Sequence, residues 1–463
     1  MRYAASLTVP ITVTRNSDSP LHQQIAAQLA SAVADGLLPD HLQLPSTRTL
    51  ASALGVSRGV ATAAYESLFA RGYLVGERGS GTYVARPVAQ AAPAPRPAIE
   101  PVDLRPGLLN TEAFPLAAWR SAWRQASFRC PPPGRLPALG LPELRQAVGE
   151  YLTNTRGTPL AGREVVVTGG RTHALRLVLD VLGLSGGQVA IEEPTAPEIH
   201  QLLRSDGRSE AVALPVDAYG AVVATAPAGC RALVFHPDSS VPFGYRLSAD
   251  RHREALAGGR RLIEMTSTPG RQATVAQCGD SVFADRSILI GGFCELFGPS
   301  LNLAYALLPR DVADAVGRRV ADHAEQPPHV TQLAVAALLR DGTARRIARR
   351  LGRRYTARTD LLKAALQVHA NRGTAVALLT AESDADGMCA ELLDAGVRVG
   401  TLRPYYFSGR TVPAGIVFGY GHVPDATLRR VLPVLRRVLH RAEPGPTCAA
   451  RRLDPAMLPV NTR

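Results

Sequence analysis

The chain has 463 residues, 46% of them hydrophobic, and a formal charge of +13. It is too long for one ordinary domain and apolar enough to bury a large core. The charge points to an anionic partner, nucleic acid first, but arginine supplies nearly all of it, Lys363 being the single lysine, so charge alone carries little weight. Six cysteines at 130, 230, 278, 294, 389 and 448 form no C-x-x-C pair or His/Cys cluster, which argues against a zinc site and a disulfide framework.

The start of the chain lacks the sustained apolar core of a signal peptide, and no apolar run reaches the ~18 residues of a membrane helix. A soluble cytoplasmic protein is expected. Residues 10–85 read as one compact unit, and 86–102, with five prolines, as an extended Pro/Ala linker that should not pack. Residues 103–442 read as a large second domain, and 443–463 as a disordered tail.

In the first unit, Ser19-Pro20 marks a helix start, Ser as cap and Pro in the first turn. Leu21, Ile25, Leu29 and Val33 then recur every four residues as one buried stripe, ending near Asp35-Gly36. A short second helix within Leu44–Leu54 is ended by Gly55. Ser57 caps a third helix over 58–71, with Ala61, Ala64, Tyr65 and Leu68 on its inner face. Tyr73-Leu74-Val75 and Thr82-Tyr83-Val84 are two strands joined by a glycine-rich turn. Three helices and a β-hairpin make an α+β winged helix-turn-helix.

The third helix would present its N-terminus, with its free N–H groups and dipole, to phosphate. Arg58 in its first turn can reach a guanine edge or a phosphate, Arg48 a backbone phosphate or a base, and Arg78 lies on the wing. Leu44-Pro45-Ser46-Thr47-Arg48, Leu54-Gly55-Val56-Ser57-Arg58, Ala64-Tyr65-Glu66-Ser67-Leu68 and Gly79-Ser80-Gly81-Thr82-Tyr83-Val84 closely resemble the signature of the GntR family. The resemblance implies contacts to an operator in double-stranded DNA from Ser46, Arg48, Ser57, Arg58, Thr62 and the wing residues Arg78, Gly79 and Gly81. Gly59 stands where the family usually has Asn or Thr. It removes a base-reading side chain and loosens the helix by about 1 kcal/mol relative to Ala.

Beyond Asp103, β-branched runs such as Glu164–Thr168 and Arg261–Glu264 alternate with helical stretches, the mark of an α/β domain with a mostly parallel sheet. Arg105-Pro106-Gly107, Gly140-Leu141-Pro142-Glu143-Leu144-Arg145, Val166-Val167-Thr168-Gly169-Gly170, Glu192-Glu193-Pro194 and Leu301-Asn302-Leu303-Ala304-Tyr305 follow in the order of fold-type I aminotransferases as fused in MocR-type regulators. The resemblance implies an α/β aminotransferase-like (fold-type I pyridoxal phosphate transferase) domain with a mostly parallel central sheet, a smaller C-terminal α/β subdomain and a homodimer.

The family's cofactor, pyridoxal phosphate, needs a lysine amine. The pattern Gly-Thr-Phe-Ser-Lys appears here as Gly291-Gly292-Phe293-Cys294-Glu295, and a carboxylate cannot form a Schiff base. Asp-Asp-Tyr appears as Met265-Thr266-Ser267, the stacking aromatic as Ala196, and the phosphate arginine as Asn302. No cofactor, no metal and no catalytic residue is therefore expected, and fold does not restore chemistry that the side chains lack. Gly170 and Arg171 still open a helix, an anion-friendly place for a small anionic effector. His173, His200 and His236 read as structural, Asp238-Ser239-Ser240 as a turn, and Tyr405-Tyr406 as packing near the old cleft. The reading is a DNA-binding transcriptional regulator with a non-catalytic body. The competing one is an aminotransferase with an accessory N-terminal domain.

Overall fold

The computed structural model describes residues 9–15, 19–77, 81–85, 100–108, 114–184, 187–206, 210–266, 285–323, 325–366, 368–371, 373–380, 383–409 and 412–441. The chain divides into two compact units, Met1–Ile99 and Glu100–Arg463.

The first unit runs α1 (Leu21–Ala34), β1 (Gln43–Leu44), α2 (Thr47–Leu54), α3 (Arg58–Ala70), β2 (Leu74–Glu77) and β3 (Gly81–Val84). Ile25, Leu29 and Val33 of α1 pack against Ala61, Ala64, Tyr65 and Leu68 of α3, all buried; Leu21 is only half-buried because it lies at the helix end. Pro20 is the N-cap and α1 begins at Leu21, so the proline precedes the first turn rather than lying in it, and no side chain caps the helix. The hairpin is a three-stranded antiparallel sheet in the order β1-β3-β2. A two-residue strand such as β1 has no periodicity to read, which is why sequence reasoning missed it. Gln24 and Gln28 of α1 each exchange two hydrogen bonds with the backbones of Thr14 and Thr12, imitating a strand partner for the N-terminal segment.

The second unit opens with β4 (Val102–Asp103), α4 (Leu116–Ser127), α5 (Pro142–Arg156), β5 (Arg163–Thr168), α6 (Arg171–Val181), β6 (Gln188–Glu193) and α7 (Pro197–Asp206). It continues through β7 (Glu210–Asp217), β8 (Gly220–Ala221), β9 (Cys230–Phe235), α8 (Ala249–Ala257), β10 (Arg261–Met265), β11 (Ser287–Gly292), the single-turn α9 (Cys294–Phe297) and β12 (Ala304–Pro309). Then follow α10 (Arg310–His323), α11 (His329–Arg340), α12 (Thr343–Ala365), β13 (His369–Asn371), β14 (Thr374–Leu378), α13 (Ala385–Asp394), β15 (Val397–Arg398), β16 (Gly400–Thr401), β17 (Gly415–Gly419) and α14 (Asp425–Arg441).

The main sheet has the order β5-β12-β11-β10-β9-β6-β7-β8. Strands β11, β10, β9, β6 and β7 are parallel, while β12 runs antiparallel to both of its neighbours. Helices cover both faces, which is why these strands are nearly continuous apolar runs. Val165, Val167, Tyr305 and Leu307 face α5 and α11, while Val166, Ile263, Ile290 and Ala306 face α6 and α10.

A smaller antiparallel sheet, β13-β14-β17-β16, packs under Leu362 of α12, Leu392 of α13 and the stripe Leu428, Val431, Leu435 and Val438 of α14. The linker reading is corrected at its end. Val102 does pack, pairing in parallel with Val397 through β4 and β15, because a β-branched residue there meets an open strand edge. The proline-rich stretch 86–99 and the tail 443–463 lie outside the described residues.

Candidate nucleic-acid interface and ligand cleft

The helix-turn-helix geometry is set by local chemistry. Ser46 caps α2, its hydroxyl accepting the Thr49 N–H at 3.1 Å, and Ser57 caps α3, accepting the Val60 N–H at 3.4 Å. Between the helices Gly55 has φ 62°, the left-handed conformation that ends α2 and turns the chain without a Cβ penalty. Arg15 donates to the Gly55 carbonyl at 3.0 Å, and the buried Tyr65 hydroxyl donates to the Pro45 carbonyl at 2.8 Å, which fixes α3 to the start of α2.

Ser46, Arg48, Ser57 and Arg58 are all exposed, and the two serines act first as caps, the Ser46 hydroxyl also pairing with the Thr49 hydroxyl at 2.8 Å. Thr62 is half-buried one turn after Arg58. Gly81 is exposed and pairs with Glu77 at the head of the hairpin. Arg78 and Gly79 lie outside the described residues. A Cβ built on Gly59 would meet only the Ser57 hydroxyl, at 3.9 Å, so the first turn of α3 is open on the exposed side.

In the second unit, the turn from β5 into α6 brings Gly170, Arg171, Thr172, Glu198, Cys294 and Asn302 around a cavity of about 200 Å³. Side chains already use much of it. The Asn302 amide oxygen lies 2.5 Å from where a Cβ on Gly170 would sit, and Gly170 has φ 101°, so no larger residue fits there. His173 Nδ1 accepts the Gly169 N–H at 3.1 Å, and its Nε2 meets Glu325 at 3.2 Å. The tautomer protonated on Nε2 satisfies both contacts. Burial lowers the His173 pKa, which keeps the ring neutral, and Glu325 offsets only part of that. Arg176 holds the other Glu325 oxygen at 2.8 Å. Arg171 lies across Gly292 and donates to the Thr266 carbonyl at 3.4 Å.

The other residues that the resemblance aligns with cofactor contacts are apolar or turned elsewhere. Met265 is fully buried among aliphatic side chains, and Ala196 is buried beside them. Glu295 is half-buried and is absent from the described lining of the cavity. Its carboxylate acts on Tyr355 of α12, whose hydroxyl is held above the ordinary range by burial first and by Glu295 second. Lys363 is exposed on α12 and does not line the cavity either. Ser267 lies outside the described residues.

The other histidines are engaged structurally. His236 pairs with Glu192 in the core, and His200 meets the Pro404 carbonyl at 2.9 Å while stacking on Phe407. Sequence reasoning missed Glu193, which is buried and accepts the Phe407 and Ser408 N–H groups at 2.6 and 2.8 Å, tying the loop that carries Tyr405 and Tyr406 to the end of β6. Asp238-Ser239-Ser240 does lie in the turn after β9, but buried rather than on the surface. Among the described residues, no helix is long and apolar enough to cross a membrane.

Residues 21–84 match the family described as bacterial regulatory proteins, gntR family. Over 444 residues, 92% of this chain and 97% of the relative, the sequence is 29% identical to the HTH-type pyridoxine biosynthesis transcriptional regulator PdxR of Corynebacterium glutamicum. It is 29% identical to the probable rhizopine catabolism regulatory protein MocR of Rhizobium meliloti, over 78% of this chain and 80% of that one. In fold it is similar to the multiple substrate aminotransferase of Thermococcus profundus, with a TM-score of 0.65 and 16% identity over 74% of this chain and 92% of that one. The kynurenine aminotransferase of Pyrococcus horikoshii is similar to the same degree, with a TM-score of 0.65 and 15% identity over 75% and 93%. The chain thus carries a gntR-family helix-turn-helix domain followed by a domain of aminotransferase-like fold, and over most of its length it is similar to transcriptional regulators of the PdxR and MocR type.

Proposed function

We propose that this regulator reads a two-part operator as a homodimer in the cytoplasm and that its large domain does no transaminase chemistry. Arg58, Ser57 and Thr62 would meet the major groove from the start of α3. Ser46 and Arg48 would meet the backbone, and Arg78, Gly79 and Gly81 the minor groove through the wing. Pairing two half-site readers raises the effective concentration of the second.

One observation carries the non-catalytic reading: Glu295 stands at the head of α9, and the single lysine is exposed on α12. The residues present do not fit pyridoxal phosphate held as a Schiff base. Met265 offers no charge to a ring nitrogen and Ala196 no stacking face, while Asn302 and His173 occupy donors and space in the cup. A small anionic effector is the ligand that the remaining cavity beside Arg171 would take. The relatives are named as regulators, which disfavours an aminotransferase with an accessory domain.

The test is to mix the full chain with excess pyridoxal phosphate, record the visible spectrum and reduce with borohydride. No reducible adduct is expected. A stoichiometric adduct mapping by peptide mass to Lys363 would overturn this reading of the large domain.

A further inference from the structure

Helix α12 carries Arg345, Arg346, Arg349, Arg350 and Arg353, and all five are exposed. At 3.6 residues per turn they fall within about 140° of the helix circumference. The opposite face holds Ala344, Ile347 and Leu351, which are buried. No acidic residue occurs between Asp341 and Asp360. Arg346 bonds the Asp341 carbonyl and the Thr343 hydroxyl, at 2.9 and 2.7 Å. Among the described residues Arg349, Arg350 and Arg353 make no hydrogen bond or ion pair.

This arrangement is unfavourable for the helix by itself. Like charges at four-residue spacing repel, and cations near a helix N-terminus oppose its dipole. An anion along this face relieves both costs. Over the ~12 Å from Arg345 to Arg353, one strand of duplex DNA presents about three to four phosphates. Arg349, Arg350 and Arg353, which have no partner among the described residues, lie within that span.

We propose that the exposed arginine stripe of α12 is a second DNA-binding surface, which holds the sugar-phosphate backbone without reading sequence. It belongs to the aminotransferase-like unit, so this unit contributes affinity to DNA as well as the helix-turn-helix. Arginine serves here as a cation rather than as a fork aimed at one base, so lysine should replace it without large loss.

The test uses the full chain and a 40-bp duplex of random sequence, with binding followed by fluorescence anisotropy across NaCl concentrations. Removing three phosphate contacts should make the slope of log Kobs against log[NaCl] about 2–3 units shallower. That is the expected result for R349A/R350A/R353A. The lysine variant R349K/R350K/R353K should restore most of the slope, and R430A/R436A/R437A on α14, which removes the same charge from another exposed face, should leave it near that of the parent. Alanine at exposed helical positions preserves helix propensity, and circular dichroism checks the fold. R58A measured beside these separates loss of the α3 contact from loss of the stripe. The proposal is overturned by an unchanged slope in the α12 alanine variant, by an equal drop in the α14 variant, or by loss of binding to phosphatidylglycerol vesicles with DNA binding intact.

Discussion

The Arg156 guanidinium at the end of α5 lies 3.1 Å from the Asp238 carboxylate in the loop after β9, and the two side chains are 0% and 4% exposed. Tyr151 and Tyr305 are buried beside them. The pair joins a helix on one face of the main sheet to the C-terminal end of a central strand. A buried pair adds little over a well-packed apolar pair, but removing one partner strands a charge. Asp238→Ala should therefore destabilise the second unit by about 3–5 kcal/mol, and Asp238→Ala combined with Arg156→Met by much less. Urea denaturation followed by tryptophan fluorescence measures both, since Trp119 and Trp123 lie in this unit. Equal losses in the single and double variants would show that packing, not charge, dominates.

Arg58→Ala should weaken specific operator binding by about 1–3 kcal/mol, because Arg58 is exposed in the first turn of α3. An operator selected from random duplexes provides the ligand, and titration across salt gives the affinity. A variant that binds this operator as tightly as the parent removes Arg58 from the reading face.

Gly59→Ala should stabilise α3 locally by about 0.5–1 kcal/mol, since the position is helical and an added methyl meets nothing closer than 3.9 Å. Hydrogen exchange of the α3 amides should slow by several-fold. Unchanged or faster exchange would mean that the first turn is not helical in solution.

Stability of the second unit should fall as pH drops through about 6.5, the unperturbed histidine value. His173 and His369 both have pKa values lowered mainly by burial, so the unfolded chain binds more protons near that pH. The stabilisation of their neutral forms is complete above the unfolded pKa and is lost as pH falls below it. Thermal melts from pH 7.5 to 5.5 should show the decline, and His173→Gln should flatten part of it. An identical pH profile in that variant would remove His173 as a contributor.

Glu295→Lys alone should not produce transaminase activity. Met265 and Ala196 still offer no ring partner, and Asn302 still packs on Gly170. A coupled assay with an amino acid, a 2-oxo acid and pyridoxal phosphate measures this. Turnover above background in this single variant would show that the cleft kept its chemistry in all but the lysine.

The sequence by itself determined what depends on neighbours in the chain. Ser46, Gly55 and Ser57 lie within a few residues of the groups they cap, so the helix-turn-helix was legible. The alternating runs around Val165 and Ile263 were legible for the same reason. Only the tertiary structure decided pairings across long separations. Arg156 meets Asp238, His173 meets Glu325, and Gln43 pairs with Tyr83, contacts that no local periodicity encodes. It also decided what surrounds the turn from β5 into α6. An isolated Asn302 or His173 reads as any polar residue, and only the turn from β5 into α6 brings them against Gly170 and Gly169. There, the half-buried Gly169 N–H finds its acceptor in His173, and Asn302 fills the space that a side chain at position 170 would need.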